Sequence, residues 1–551
     1  MRKVGLFGIR ARFLGCAGRH RFAAAGTALL AAIAGPLLTA PPASAGLTET
    51  VIVTSTGALT PDAAVLEVGG TVLTQYQIID GVEAQVPSLV EPVLAALPGI
   101  IVTPDLSVNV QSAPESTGQH IPSDAFLQQT GATSLAAQGD IGQGITVAVM
   151  DTGIDNLPDF AGRLIGGVDL TGGNDPFQDP YGHGTFVAGL IAGNGASSGG
   201  QYSGEAPGAN LVSIKVAGAS GITDLATLIL GVQWAVANRS TYGIRVLNLS
   251  FGFEPITSTV INVLDQAVEV AWASGIAVVA SAGNAGPFNG TILSPGDDPL
   301  VITVGALDDM AQSSVTDDEM TSFSSVGPTS PDGWVKPDLV TSGRSVVSLA
   351  APGSTIYDDY PSARVGPANF VGSGTSFSAA ITSGAAALVL AANPGLTPDQ
   401  IKARLLGTTY PGPVGNPFVD GHGTLNAYAA ATASPLNFAQ SAGGLLPASP
   451  GAAVSLVPTG PVDTWSASLW SGVTWNQGPP AGSSWNGLAW DGAQWNGWAW
   501  TSKAWNQEAW AGAAWNGQAW SGSAWDGSAW DGSAWNGCAW TSKAWNNSAW
   551  N

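Results

Sequence analysis

ITVAVMDTGID, residues 145–155, is the stretch on which the fold turns. From Ile145 to Met150 every side chain is apolar or β-branched, with no alternation between polar and apolar positions. A strand without a polar face has to be covered on both sides, which is the condition of a strand inside a parallel sheet with helices above and below. The run ends on Asp151-Thr152-Gly153, which sets a carboxylate at its carboxyl end. In open parallel sheets that is where ligands and reacting groups collect.

Outward from this strand the same pattern recurs. LVSIKV, IRVLNLS, IAVVASA and LVITVGA are short continuous apolar runs, separated by helical stretches such as TDLATLILGVQWAVAN and TSTVINVLDQAVEVAWAS. Buried strands alternating with helices imply right-handed crossovers and a doubly wound α/β domain. Its sheet is expected to be mostly parallel, with helices on both faces, over residues 123–434. Two further loops in this span carry chemistry. DPYGHGTFVAGLIAGN sets His183 just before a small-residue helix, and GSGTSFSAAITSGAAALVLAANP sets Ser376 at the start of another, with Gly372 and Gly374 expected to make tight turns before it.

An Asp, a His and a Ser on three loops can form a nucleophilic site. A serine hydroxyl is a weak nucleophile and needs a base beside it, and an imidazole can take that proton and later return it to a leaving amine. The imidazole in turn needs a carboxylate to fix its tautomer. The negative charge that develops on the attacked carbonyl needs donors. Asn284, in ASAGNAGP after the strand IAVVASA, offers a side-chain amide, and the backbone N–H of Ser376 at a helix start offers another.

Four segments, VAVMDTGID, HGTFVAG, ASAGNAG and GTSFSAA, resemble the signature segments of subtilisin-like serine proteases, in that family's order of Asp, His and Ser. The resemblance implies a serine endopeptidase in which Asp151 orients, His183 is general base and acid, Ser376 attacks, and Asn284 stabilises the oxyanion. It also implies that Leu249, Ser250, Phe251 and Gly252, in LNLSFG, form the edge that pairs with an extended polypeptide substrate. Ala282 and Gly283 are expected to line the substrate site. With Ala280 and Ser281 they are small and uncharged, which suggests an open pocket for an apolar or aromatic side chain before the cut bond. Ala380 stands where the family usually has Pro, a departure expected to touch stability more than chemistry. His422, also in an HGT triplet, resembles the family's closing segment and reads as structural. Asp155, beyond Gly153, reads as a turn residue.

No metal is expected in catalysis. Calcium is common in the family as a structural ion, and Asp297, Asp298, Asp308, Asp309, Asp317, Asp318 and Glu319 are potential oxygen ligands in loops, though without an EF-hand spacing.

Before the protease-like span lie two different segments. Residues 1–45 hold Arg2, Lys3, Arg10, Arg12, Arg19 and Arg21 ahead of an apolar run and Ala43-Ser44-Ala45, the pattern of a secretory signal cleaved after Ala45. No other stretch is expected to span a membrane. Residues 46–122 carry acids but, up to residue 120, no Lys or Arg. Their runs ETVIVTS, GGTVLTQYQIIDGVEAQVP and GIIVTPDLSVNV read as strands, and PSLVEPVLAAL spaces Val90, Val93, Leu94 and Leu97 as a helix, giving a small α+β domain. This domain resembles the family's propeptides, which assist folding and act as transient inhibitors. The polar stretch QSAPESTGQHIPSD reads as an exposed linker, with self-cleavage expected between about Val110 and Asp124.

The whole chain has 17 basic and 39 acidic residues among 551, and removal of residues 1–45 leaves 11 against 39. So few cations exclude an electrostatic nucleic-acid binder and disfavour an anionic membrane surface. Cys16 departs with the leader and Cys538 remains alone, so an internal disulfide is excluded in the exported chain.

Residues 435–464 read as an Ala/Gly/Ser/Pro linker, and 465–551 as a repeat holding 18 of the 21 Trp. Trp recurs every fifth residue, often followed by Asn-Gly or Asp-Gly, which suggests one turn per unit. Either a stack of hairpins or a flexible aromatic array fits. Flat aromatic faces suit contact with cell-wall glycan or other polysaccharide, and a self-packed stalk fits the spacing equally. Two functions follow: a secreted, extracellular protease, possible cell-surface association included, or an adhesion protein whose tail is its main function and whose protease domain serves maturation only.

Overall fold

The computed structural model describes residues 48–110, 113–114 and 121–433, apart from 256 and 260, together with short strand pieces between 514 and 550. The leader, the linker at 435–464 and most of the Trp repeat lie outside the described residues. Of the repeat, Ala514–Asn516 pairs antiparallel with Ala519–Ser521, setting Trp515 opposite Trp520.

Seven strands of the main domain are parallel, in the spatial order Leu339–Ser342, Ile302–Asp308, Ala277–Ser281, Ile244–Leu249, Thr146–Asp151, Asn210–Lys215, Leu164–Asp169. Glu319–Met320 adds a short antiparallel partner to the end of Ile302–Asp308. All six residues of Thr146–Asp151 are buried, as the unbroken apolar run requires. The chain runs from this central strand outward to one edge and then returns to continue on the other side, so Asp151 stands at the switch in strand order.

Two helix pairs cover the sheet. Leu225–Ala237 packs on Val263–Ala273, and His183–Ala192 packs on Thr375–Ala392. The first pair starts on side-chain caps: Asp224 accepts from the Thr227 N–H, and Asn262 from the N–H groups of Leu264 and Asp265. Thr375–Ala392 is long and apolar enough to cross a membrane, which the sequence pattern alone did not suggest. It is the central core helix, with 89% of that window buried inside the domain. Ala380 lies within it, fully buried.

Sequence periodicity missed the edge strand Leu164–Asp169 and the antiparallel pair Val346–Leu349 and Asn369–Ser373. Gly372 therefore lies in a strand and not in the turn expected of it.

The N-terminal residues build a four-stranded antiparallel sheet in the order Thr71–Tyr76, Gly81–Pro87, Thr48–Ser55, Ile100–Pro104, with helices Pro61–Glu67 and Glu91–Ala95. Val51, Val53, Val65, Val82, Val86 and Leu94 form its own core. The expected helix is short: Leu94 is its buried anchor, while Val93 is exposed. Tyr76, Ile78, Ile79 and Val108 belong instead to the core of the main domain, so the two parts share an apolar seam. Polar contacts align that seam. Gln233 Oε1 accepts from the N–H groups of Gln77 and Ile78, and Asp105 Oδ1 accepts from the Ala226 N–H at 3.0 Å, capping the helix Leu225–Ala237 from outside.

Burial pushes the Asp105 carboxyl up to about 6, and the charges of Asp224 and Glu83 push the same way, against the Ala226 N–H. The docked domain thus holds a proton that the undocked carboxyl loses at about pH 4. The contribution of Asp105 to docking is therefore fully present below about pH 4, weakens as pH rises to about 6, and is lost above that. In an uncleaved precursor, hydrogen-exchange protection of Ser107–Val110 is expected to fall across this window, and to fall less in Asp105→Asn. Identical pH profiles in the two chains would contradict this.

Candidate active site

Asp151 closes the central strand, and His183 is the first residue of its helix, so both are fixed by regular elements rather than by long loops. The His183 Nδ1 lies 2.8 Å from Asp151 Oδ1 and 2.9 Å from Oδ2. Carboxylate oxygens accept, so Nδ1 is assigned the proton, and in that neutral tautomer Nε2 holds the lone pair. Both side chains are about 1% exposed. Among the described residues, Nε2 has no hydrogen-bond partner. Asp151 is itself oriented by the Thr152 N–H at 2.8 Å.

A further carboxylate, which the motifs do not single out, builds the turn ahead of His183. Asp179 is fully buried and accepts from the N–H groups of Gly182 and Thr185 and from Thr152 Oγ1, all at 2.7 Å. Burial pushes its carboxyl up, and those bonds work against the shift. Thr152 Oγ1 also accepts from the Gly184 N–H, which ties the Asp151 strand end to the His183 helix. The signal was present in DPYGHGT as an acidic residue ahead of a helix start. Asp155 braces the same turn by accepting from the Asp179 N–H.

Ser376 is the second residue of the helix Thr375–Ala392, within the first turn, whose N–H groups lack intrahelical partners. Its hydroxyl donates to the Ser250 carbonyl at 3.1 Å. The neighbouring Phe377 ring lies 5.7 Å from the His183 ring, so the two helix starts meet. Asn284 Oδ1 accepts from Thr375 N–H at 2.9 Å and from Thr375 Oγ1 at 3.0 Å, while Thr375 Oγ1 accepts from the Gly283 N–H. With the oxygen so committed, Nδ2 is the donor on the other side of the amide.

The residues expected to bind substrate divide. Phe251–Gly252 is an edge whose backbone pairs antiparallel with Val110 and Asn109. Ser250 stands beside Ser376, its hydroxyl donating to the Ser376 carbonyl. Leu249 is a correction: it is fully buried between Met150 and Ala280 in the sheet, where its side chain serves the core. Ala282 is likewise buried, its carbonyl accepting from the Leu293 N–H. The open pocket expected at Ala282 and Gly283 is narrowed by Leu293. A Cβ on Gly252 would come within 2.8 Å of Leu293 Cβ, and one on Gly283 within 2.6 Å of its Cγ.

The chain's own segment lies in this cleft. Ser107–Val110 runs between Ile222–Asp224 and Phe251–Gly252 as the middle strand of a three-stranded sheet. Ala113–Pro114 then pairs with Ser373–Gly372, immediately before the Ser376 helix. Ser123 re-enters the main domain, donating its N–H to Ser345 and accepting from Val347.

Other residues raised from sequence lie elsewhere. His422 contributes backbone bonds, its N–H to the Asp338 carbonyl and its carbonyl to Thr409 Oγ1. Among the proposed calcium ligands, Asp308 pairs with Arg344, Asp309 accepts from Ser342, and Asp318 accepts from Gln129. Asp297 and Asp298 join Asp265 and Glu269 in a buried acidic group, where burial raises all four carboxyls. Among the described residues no three or more His, Cys, Asp or Glu are arranged to hold a metal ion.

Comparison with known proteins adds an independent line. The model of the subtilase family (peptidase S8) matches residues 142–443. The serine protease AprX of Bacillus subtilis (strain 168) is 44% identical over 291 residues, 52% of this chain and 66% of AprX. Subtilisin DY of Bacillus licheniformis is 35% identical over 303 residues, 54% of this chain and 95% of that protein. Among solved structures, fervidolysin from Fervidobacterium pennivorans, a keratinolytic enzyme related to subtilisin, superposes with a TM-score of 0.56 at 23% identity. That match covers 71% of this chain and 62% of fervidolysin, and it bears on the fold alone.

Proposed function

Because the chain belongs to the subtilase family, we propose that it is a serine endopeptidase that cuts polypeptides through an acyl-enzyme on Ser376. The observation that carries this reading is the buried His183–Asp151 pair, bonded at 2.8 Å through Nδ1 so that Nε2 is left as a base beside the Ser376 helix. The Ser376 proton turns from the Ser250 carbonyl to Nε2 as Oγ attacks the substrate carbonyl carbon. Asp151 stabilises the imidazolium that forms. The oxyanion is met by Asn284 Nδ2 and the Ser376 N–H, donors already fixed by Thr375 and by the helix start. His183 then passes its proton to the leaving amine, and water repeats the sequence to free the acid. Leu293, against Gly252 and Gly283, favours small uncharged side chains before the cut bond over large aromatic ones.

The proposal extends to self-processing. Support comes from the seating of Ser107–Val110 on one side of Ser376 and of Ala113–Pro114 on the other, which is how an extended substrate would cross the site. The cut then falls between Val110 and Ala113, and residues 46–110 act as the inhibitor until displaced. The processed chain is expected to begin at Gln111, Ser112 or Ala113.

The remaining proposals concern destination. Residues 1–45 direct secretion, and the Trp repeat holds the enzyme on a polysaccharide or cell-wall surface by stacking aromatic faces on sugar rings. Deleting residues 461–551 is expected to abolish pull-down on cell wall, cellulose or chitin while leaving peptide hydrolysis intact; unchanged retention would remove the attachment role.

The activity is tested by adding the secreted protein to denatured casein. Broad fragmentation is expected. Self-cleavage with no cutting of added protein would reduce the domain to a maturation device and contradict the reading.

A further inference from the structure

The helices His183–Ala192 and Thr375–Ala392 carry the base and the nucleophile, and the joint between them is wedged by an acid that no step above uses. Glu205 is 1% exposed. Its N–H donates to the Leu190 carbonyl and the next N–H, of Ala206, to that of Ile191, both at 2.8 Å, which fastens this segment along the end of the His183 helix. The side chain meets the other helix at Gly384, where a Cβ would come within 2.6 Å of the Glu205 Cβ and 3.2 Å of the Ile191 carbonyl. Glycine is a poor residue for a helix interior, and here it makes room for the acid.

No cation on the elements around Glu205 balances a charge there. Its Oε2 accepts from Thr130 Oγ1 at 3.0 Å, and its Oε1 has no hydrogen-bond partner among the described residues. The Ser376 helix has no ionisable side chain besides its hydroxyls, nor do Phe126–Gln129 and Ala132–Ala137, the helices on either side of Thr130. On the His183 helix the titratable group is His183 itself, at the opposite end, and Arg163, which reaches the near end, donates to the carbonyls of Ala192 and Ala209. Tyr202 shares the loop of Glu205, and Tyr428, whose N–H donates to the Thr130 carbonyl, accepts at its hydroxyl from Gln138. A buried carboxylate without a counter-ion is strongly unfavourable, so the group is held as the neutral acid. Burial pushes it up to about 8, and the Thr130 bond works against the shift. We propose that Glu205 is a positioning residue that ties catalysis to pH: as a neutral acid it fills the joint between the two catalytic helices, and as a carboxylate it draws water in and parts them. His183 and Ser376 must come within about 2.6–3.2 Å to pass a proton, so a small parting of their helices is felt in the rate. In an opened joint the hydrated carboxyl titrates at its ordinary value of 4.5. Closure therefore has this group's full support below about pH 4.5, loses it as pH rises to about 8, and loses nothing further above that.

The inference rests on the reading of His183 and Ser376 as base and nucleophile, and its test separates the two. The protein freed of residues 46–110 and its Glu205→Gln variant, which keeps the shape and cannot ionise, are assayed on a peptide p-nitroanilide from pH 5 to pH 10. The readout is the ratio of their kcat/KM values, in which the titration of His183 cancels. The parent-to-variant ratio is expected to fall at least ~10-fold between pH 5 and pH 8, to level off above, and to recover when the parent is returned to pH 5. In Thr130→Val, which removes the one bond to the carboxyl, activity relative to the parent is expected to go on falling past pH 8. That variant carries the test should Glu205→Gln fail to fold, and an unshifted profile in it would overturn the proposal. A parent-to-Glu205→Gln ratio that stays constant would overturn the proposal and leave the catalytic reading standing. Melting temperatures that diverge with pH while the ratio stays flat would make Glu205 structural only, with the same consequence. No hydrolysis by the parent at any pH would overturn both.

Discussion

Ser376→Ala is expected to lower kcat/KM on peptides by about a millionfold and to leave residues 46–110 attached to the rest of the chain; the magnitude is the one established for the nucleophile of subtilisin, a member of the same family. The substitution removes one oxygen. The Asp151–His183 pair and the Thr375–Asn284 contacts do not depend on that hydroxyl. Ser376 is buried in a helix, where Ala is well tolerated, so circular dichroism should match the parent. The hydrogen bond to Ser250 is lost, and its carbonyl can be left short of a donor at a cost of about 1 kcal/mol. Activity within tenfold of the parent, or normal processing in the variant, would show that another group attacks or that another protease matures the chain.

The second large effect is expected at Asn284. Removing its amide in Asn284→Leu should cut kcat by about 100- to 1000-fold with little change in KM, a range again set by the corresponding donor in subtilisin. The reason for the split is that Nδ2 meets charge that exists only once the carbonyl has been attacked, so its loss is felt in the transition state and hardly in the bound substrate. Asn284 Oδ1 also takes the Thr375 N–H and hydroxyl, so stability is expected to drop by about 1–3 kcal/mol as those donors lose their acceptor. A rise in KM with kcat unchanged would place Asn284 in ground-state binding and not at the oxyanion.

Much of this site was legible because its parts sit at the ends of regular elements. Asp151 follows an apolar run that could only be an interior strand, and His183 and Ser376 open helices of small residues. The position of Asn284 was legible for the same reason, since it follows a strand of the same sheet. What failed was anything set by distant partners. Leu249 shares a motif with Phe251 and Gly252, but its backbone is paired on both sides, with Met150 and Ala280, and only sheet register shows that the pairing with Val110 and Asn109 begins at Phe251. Leu293 could be recognised as the side chain between Gly252 and Gly283 only after three separate segments met. Asp105 belongs to no sequence motif, and its role depends on a partner 121 residues away, the Ala226 N–H at the start of the helix Leu225–Ala237. The short strand Ile222–Asp224 has too few residues for a periodic signal, yet with Phe251–Gly252 it makes the slot that receives Ser107–Val110.

The central claim is that Ser376 is a nucleophile activated by His183. The most direct test is to treat the purified protein, freed of residues 46–110, with a fluorophosphonate probe and map the adduct by peptide mass spectrometry. A single adduct is expected on Ser376, absent in His183→Ala when circular dichroism shows that variant folded. An adduct on a different serine, or casein hydrolysis by a protein that takes no label at Ser376, would contradict it.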